Sequence, residues 1–186
     1  MIDSALFYAF AVPAVLIMGI SKGGLGSGLG IIATPLVALA VPAPQAAAIL
    51  LPILLVMDAV GLFAYRGVFD RRHLGLLLAG GIGGTVLGAL TFRYFSDAMI
   101  RAMLGAMALA FVVHRLRSGL ASPVAAAPSR AKGLFWSTIS GLASTVSHAG
   151  GPPLSVYLLP LRLDKAVLVG TTVIFFAVIN AVKLVP

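Results

Sequence analysis

Lys22 sits inside Ser21-Lys22-Gly23-Gly24-Leu25-Gly26-Ser27-Gly28-Leu29-Gly30, a glycine-rich string that interrupts an apolar run. An ammonium at such depth costs several kcal/mol unless it meets water or a counter-charge, roughly 3 kcal/mol on the gentler insertion scale. Two readings follow: Lys22 attracts an anion in a wet cavity, or it snorkels to the membrane surface from a helix end. Gly23, Gly24, Gly26, Gly28 and Gly30 permit close backbone approach, and amides freed at the start of a following short helix would turn their positive end toward an anion. Packing of small residues against a neighbouring helix is the plain alternative. A second interruption reads Ser147-His148-Ala149-Gly150-Gly151-Pro152-Pro153. Proline suits the first turn of a helix, so Pro152 or Pro153 should open a short one. His148 is placed to bind an anion, to relay a proton, or to hydrogen-bond a helix end.

Asp58 and Asn180 occupy equivalent places in two apolar runs, with Lys183 one turn beyond Asn180. A carboxylate at depth would face the bundle interior and exchange protons there; an interfacial aspartate, two turns from Tyr65 and Arg66, is the alternative. Asp58 and His148 are therefore the proton-coupling candidates. Thr171 and Thr172 would line the same cavity or bond back to their own helix. The candidate substrate-binding set is Lys22, Gly23, Gly24, Gly28, Gly30, Ser147, His148, Gly150, Gly151, Pro152 and Asn180.

Other chemistries fit poorly. Lys22 precedes its glycines and no Gly-Lys-Ser/Thr ending follows, which argues against a phosphate loop. Adjacent Ser147 and His148 have no orienting acid, so neither a hydrolase nor any other enzyme is indicated. The chain has no cysteine, hence no thiolate metal site, and no metal or cofactor is expected. Its 13 Lys and Arg against five aspartates give +8, but the basic residues sit mostly in short links between apolar runs, where they set topology rather than bind nucleic acid.

The elements that must position these residues are membrane helices. In 186 residues, 60% are hydrophobic and 10% charged, more apolar surface than a soluble domain of this length can hide. Runs are expected over about 5–20 with a shorter piece over 29–41, then 45–65, 74–92, 98–113, a broken run over 133–146 and 153–161, and 166–186. The fold class is thus an all-α integral membrane bundle of about six membrane runs with two broken helices. Met1-Ile2-Asp3-Ser4 has no basic start of a signal peptide and is read as leading into the first helix. Gly80, Gly84 and Gly88, four apart, should form a close-packing helix face.

An internal repeat links the breaks. At a constant offset of 122, Gly19 falls on Gly141, Gly28 on Gly150 and Asp58 on Asn180. The shared order of helix, break, short helix and helix with one polar residue strengthens it. The expected organisation is a first repeat over 1–116, a basic cytoplasmic linker over 117–132 and a second repeat over 133–186. The second holds two helices fewer, so the chain reads as an incomplete copy of a larger protein. Matched breaks of this kind mark the substrate site of secondary transporters, because open backbone is tolerated only against protein or a wet cavity. If each broken segment crosses once, Arg66, Arg71, Arg72, Arg115, Arg117, Arg130 and Lys132 share one side. Arg93, Arg101, Arg162 and Lys165 take the other, and the repeats run in parallel sense. Seven against four makes the first side cytoplasmic; re-entrant segments would change this count.

The chain resembles the sulfite exporter TauE/SafE family of membrane transporters. The resemblance rests on the glycine-rich break followed by Pro35, on Gly150-Gly151-Pro152-Pro153 with Tyr157-Leu158-Leu159, on Gly170-Thr171, and on Asn180 with Lys183-Leu184. It covers essentially the whole chain. It implies a bundle of two related halves in a bacterial inner membrane, and secondary transport of a small anion such as sulfite, an organosulfonate or a related sulfur or carbon oxyanion. The partners it implies are that anion and the lipid bilayer, with a homo-oligomer allowed. This sequence departs from many members in carrying Ser21-Lys22 at the first break and in stopping after about six runs. The alternative reading is a non-transporting membrane subunit or a degenerate fragment of such a transporter.

Overall fold

The computed structural model describes residues 4–25, 29–92, 94–118 and 127–184, and all regular structure among them is helical. Asp3, Gly26, Gly28, Arg93, the middle of the basic linker and Pro186 lie outside the described residues. Helix α1 covers Ala5–Ile20 and passes through a wide π-type turn at Ser21–Leu25. The chain resumes as a 3₁₀ turn at Leu29–Ile32 and a short α2 at Ala33–Val37. Then follow α3 (Ala43–Ala64), α4 (Arg71–Phe92), α5 (Asp97–Ser118), α6 (Arg130–Ser147), α7 (Gly151–Leu158) and α8 (Lys165–Val182). Four helical segments are long and apolar enough to cross a membrane: Ala5–Gly23, Ala43–Ala64, Arg71–Phe92 and Lys165–Val182.

The chain does not cross straight on at either break; it doubles back. The Gly30 amide donates to Ser21 Oγ at 3.1 Å, so α2 begins beside the end of α1. Val37, Ala38 and Val41 then join the same core cluster as Phe7, near the start of α1. At the second break His148 takes a left-handed conformation, φ 54°, and ends α6. Pro152 and Pro153 open α7, where their missing amides cost no helical bond. Tyr157 near its far end lies against Gly133 near the start of α6. Each break is thus the tip of a helical hairpin, and the straight crossing with parallel repeats is not what forms.

The two hairpins enter from opposite ends. Helix α3 runs from the link at 38–43 to the link at 65–70. The α1–α2 tip meets Asp58 near the close of α3, while the tip of α6–α7 meets Ala47 near its start. Helix α6 lies in step with α4: Gly80 faces Leu134 and Ser137, Gly84 faces Thr138 and Leu142, and Gly88 faces Thr145. That parallel seam is the close approach the glycine spacing predicts. Gly141 completes it, since a Cβ there would overlap the Gly81 carbonyl oxygen.

Reversal at the tips also moves the charges. Phe69, Leu74, Leu161 and Leu163 pack in one cluster, so the 159–164 link lies at the same end as the 65–70 link. That end carries Arg66, Arg71, Arg72, Arg130, Lys132, Arg162 and Lys165; Arg162 and Lys165 do not lie with Arg101 as straight crossings would require. Asp70 caps α4 there, accepting from the Arg72 amide at 2.9 Å and hydrogen-bonding with His73 Nδ1, while its own amide donates to Thr171 Oγ1 at 2.9 Å. At the opposite end Asp97 accepts from the Ala43 amide at 2.7 Å, and Arg101 donates to the Ala38 carbonyl at 2.6 Å. One ion pair thereby satisfies both backbone ends of the turn between α2 and α3.

Candidate functional site

A cavity of about 370 Å³ lies between the first hairpin tip, α3, the second hairpin and α8. Lys22, Ser21, Gly30 and Asp58 line its inner part together with Ser144, His148, Gly151, Pro152 and Asn180. Leu159, Lys165, Leu168, Val169 and Thr172 continue it toward the basic end. Its walls are otherwise apolar, from Met18, Ile31, Leu54, Val173 and Phe176.

The polar groups form one connected chain. Lys22 Nζ ion-pairs with Asp58 Oδ1, and the other carboxylate oxygen accepts from Asn180 Nδ2 at 2.6 Å. Asn180 Oδ1 accepts from Lys183 Nζ at 2.8 Å. The same ammonium donates to the Ser144 carbonyl and Oγ, each at 2.8 Å, and meets His148 Nδ1 at 3.2 Å. His148 Nε2 lies 2.9 Å from the Ala47 carbonyl. A carbonyl only accepts, so Nε2 carries the ring proton and Nδ1 presents its lone pair to the ammonium. From Ala47 to Asp58 the chain spans about 16 Å of α3 at 1.5 Å per residue, and it ties both hairpin tips to α3 and α8.

Its burial explains why each member needs the others. Asp58 is 3% exposed, and the Lys22 side chain 21%. Stripping a carboxylate or an ammonium of water costs several kcal/mol, repaid only by a close partner and further hydrogen bonds. Asp58 has both: a cation on one oxygen and an amide on the other. With both lysines charged and Asp58 ionised, the cluster holds two positive charges and one negative. One cationic charge is then left over in the cluster that borders the cavity, an arrangement complementary to a small anion.

The structure places the remaining sequence-derived candidates unevenly. Lys22, Gly30, His148, Gly151, Pro152, Asn180 and Asp58 line the cavity. Gly23 is exposed, with nothing within 4 Å of an added Cβ, and does not line it. Gly24 falls in the π-type turn, and Gly28 lies outside the described residues. Ser147 turns away, donating to the Ala143 carbonyl at 3.1 Å. Gly150 holds the tip through its carbonyl, which accepts from Ser140 Oγ at 2.7 Å. Thr172 lines the cavity while bonding back to Leu168, whereas Thr171 bonds to Val167 and Asp70 instead. The two prolines of α7 remove two amides that a helix N-terminus would present. Lys183 and Ser144 were missed as site residues. A lysine one turn beyond a buried Asn, on the same helix face, was the available signal for the first. Among the described residues no three His, Cys, Asp or Glu side chains converge as a metal site would need.

The family model for the sulfite exporter TauE/SafE matches residues 11–186. No curated protein and no solved structure matches the chain.

Proposed function

The chain belongs to the sulfite exporter TauE/SafE family, and from that premise we propose that its cavity carries a small oxyanion across a bacterial inner membrane. Sulfite, organosulfonates and related sulfur or carbon oxyanions are the substrate class. The observation that carries this reading is two lysines, Lys22 and Lys183, set against one carboxylate, Asp58, in a connected cluster beside a cavity of about 370 Å³. Lys22 makes the direct contact, Asn180 and His148 frame the anion, and Lys183 supplies charge from behind them. At about 4 Å and an effective dielectric near 20, one such cation is worth ~4 kcal/mol to a bound anion before desolvation is subtracted.

The basic end, which carries Arg66, Arg71, Arg72, Arg130, Lys132, Arg162 and Lys165, is the cytoplasmic one on the positive-inside rule. Because the cavity reaches Lys165 at that end, this state loads from the cytoplasm. Residues 1–116 and 133–186 act as two halves joined by the 117–132 linker. Their hairpins, entering from opposite ends, make an inverted pair around a site near the middle of the membrane, an arrangement suited to alternating access. Flux of sulfite, methanesulfonate and acetate in reconstituted vesicles tests this. Saturable flux of the sulfur oxyanions supports it; equal leak with and without protein removes it.

A further inference from the structure

Of the two proton-coupling candidates the sequence marks, Asp58 and His148, the geometry decides for Asp58, and it gives that carboxylate a second role. We propose that Asp58 is a tethered counter-anion occupying the substrate's place on Lys22, so that an entering oxyanion displaces it and one proton is taken up per anion bound. The proposal rests on the transport reading and specifies how that site is regulated.

His148 is unsuited to the task. Its Nε2 proton is committed to the Ala47 carbonyl and its Nδ1 lone pair faces the Lys183 ammonium, so it has no site for a proton without breaking the chain. Asp58 differs. Its Oδ1 faces Lys22 at the cavity wall, and only its Oδ2 is needed to hold Asn180. The charged groups around it are Lys22 from the first hairpin and Lys183 from α8, with His148 and Ser144 of the second hairpin beyond Asn180.

An oxyanion offers Lys22 what the carboxylate offers: negatively charged oxygen at hydrogen-bond distance. When it takes that position, Asp58 would be a second anion a few ångströms away in a water-poor cavity, and like charges so placed raise the proton affinity of the weaker acid. Protonated, Asp58 still accepts from Asn180. The ledger closes: Lys22⁺ with Asp58⁻ becomes Lys22⁺ with the anion and neutral Asp58, and the cluster's charge is unchanged. The same pair keeps the empty site from holding a bare ammonium in the membrane.

Methanesulfonate is the probe, because it stays a monoanion throughout the pH range used. Binding to the full chain in nanodiscs is measured calorimetrically in two buffers of different ionisation enthalpy, which counts protons, over pH 5–8. Wild type should take up one proton per anion, its affinity falling about tenfold per pH unit over the range where that proton is taken up. Asp58→Asn should bind without proton uptake, with an affinity independent of pH and tighter than wild type at pH 8. Lys22→Met should bind poorly at every pH. Wild-type binding without proton uptake, or a wild-type slope in Asp58→Asn, overturns the counter-anion while leaving anion transport standing. If Asp58→Asn does not fold, Asp58→Ser takes its place with the same two outcomes. Absence of methanesulfonate and sulfite binding in both proteins at every pH removes the transport site itself, and the counter-anion with it.

Discussion

Replacing Gly84 with alanine adds one carbon where α4 touches the backbone of α6. A Cβ there would overlap the Thr138 carbonyl oxygen and stand 2.8 Å from its carbon and 2.9 Å from the Leu142 amide nitrogen. Non-bonded carbon contacts settle near 3.5 Å, so the helices must part by roughly 0.6 Å or more. The clashing atoms are backbone and cannot rotate aside, which puts the cost at the upper end of the overpacking range, about 3 kcal/mol. Gly83, its neighbour in sequence, points outward with nothing within 4 Å. Gly83→Ala should therefore stabilise, by about 0.5–1 kcal/mol from reduced backbone entropy in the unfolded chain. Unfolding in mixed micelles with rising denaturing detergent, read by the single tryptophan, Trp136 on α6, compares the two. Coincident transitions would refute the close α4–α6 seam. The seam matters to the site because α6 carries Ser144 and His148.

Further expectations follow from the polar chain and its flanks. Lys183→Met leaves Ser144, His148 and Asn180 with an unmet buried partner, so it should lower stability by about 1–3 kcal/mol and weaken anion binding, measured by unfolding and calorimetry together. Asn180→Leu removes the bond to Asp58 Oδ2; proton uptake on anion binding should persist while affinity changes, which separates holding the carboxylate from charging it. For Asp70, burial acts to raise the pKa, but the hydrogen bond with His73 and those from the backbone amides of His73 and Arg72 outweigh it and leave the carboxyl below its ordinary 3.8. Its contribution is thus complete above pH 3.8 and is lost as pH falls through the lower folded value. Asp70→Asn should flatten that acid limb of the stability curve, and an unchanged limb would show that another carboxyl governs it.

Much of the polar cluster around the cavity was legible because its residues break local rules. A lysine among glycines and an aspartate in an apolar helix are costly in a membrane, and the repeat offset that aligned Asp58 with Asn180 picked out two side chains that hydrogen-bond to each other. The four-residue spacing of Gly80, Gly84 and Gly88 reads as a packing face because helix geometry puts i and i+4 on one side. Direction was not legible. Hydropathy and periodicity describe a segment's length and faces but not where the chain heads after a π-type turn at Ser21–Leu25 or a left-handed residue at His148. That reversal places Arg162 and Lys165 at the other end and makes each break the tip of a hairpin, the two entering from opposite ends. Nor could spacing show that Lys183 sits between Asn180 and His148, or that Asp97 and Arg101 close the turn between α2 and α3. Those contacts join residues from helices far apart in sequence.

The central claim is that Lys22 holds a small oxyanion in the cavity between the two hairpin tips. Flux of sulfite and methanesulfonate into vesicles carrying equal amounts of wild type or Lys22→Met tests it most directly. Wild type should show saturable flux of both; Lys22→Met leaves Asp58 without its cation and lowers folded yield, but at equal folded amounts it should lose at least about tenfold of that flux, since one direct cation contact is worth more than about 1.4 kcal/mol. Equal flux through both proteins would contradict the claim and take Lys22 out of the path.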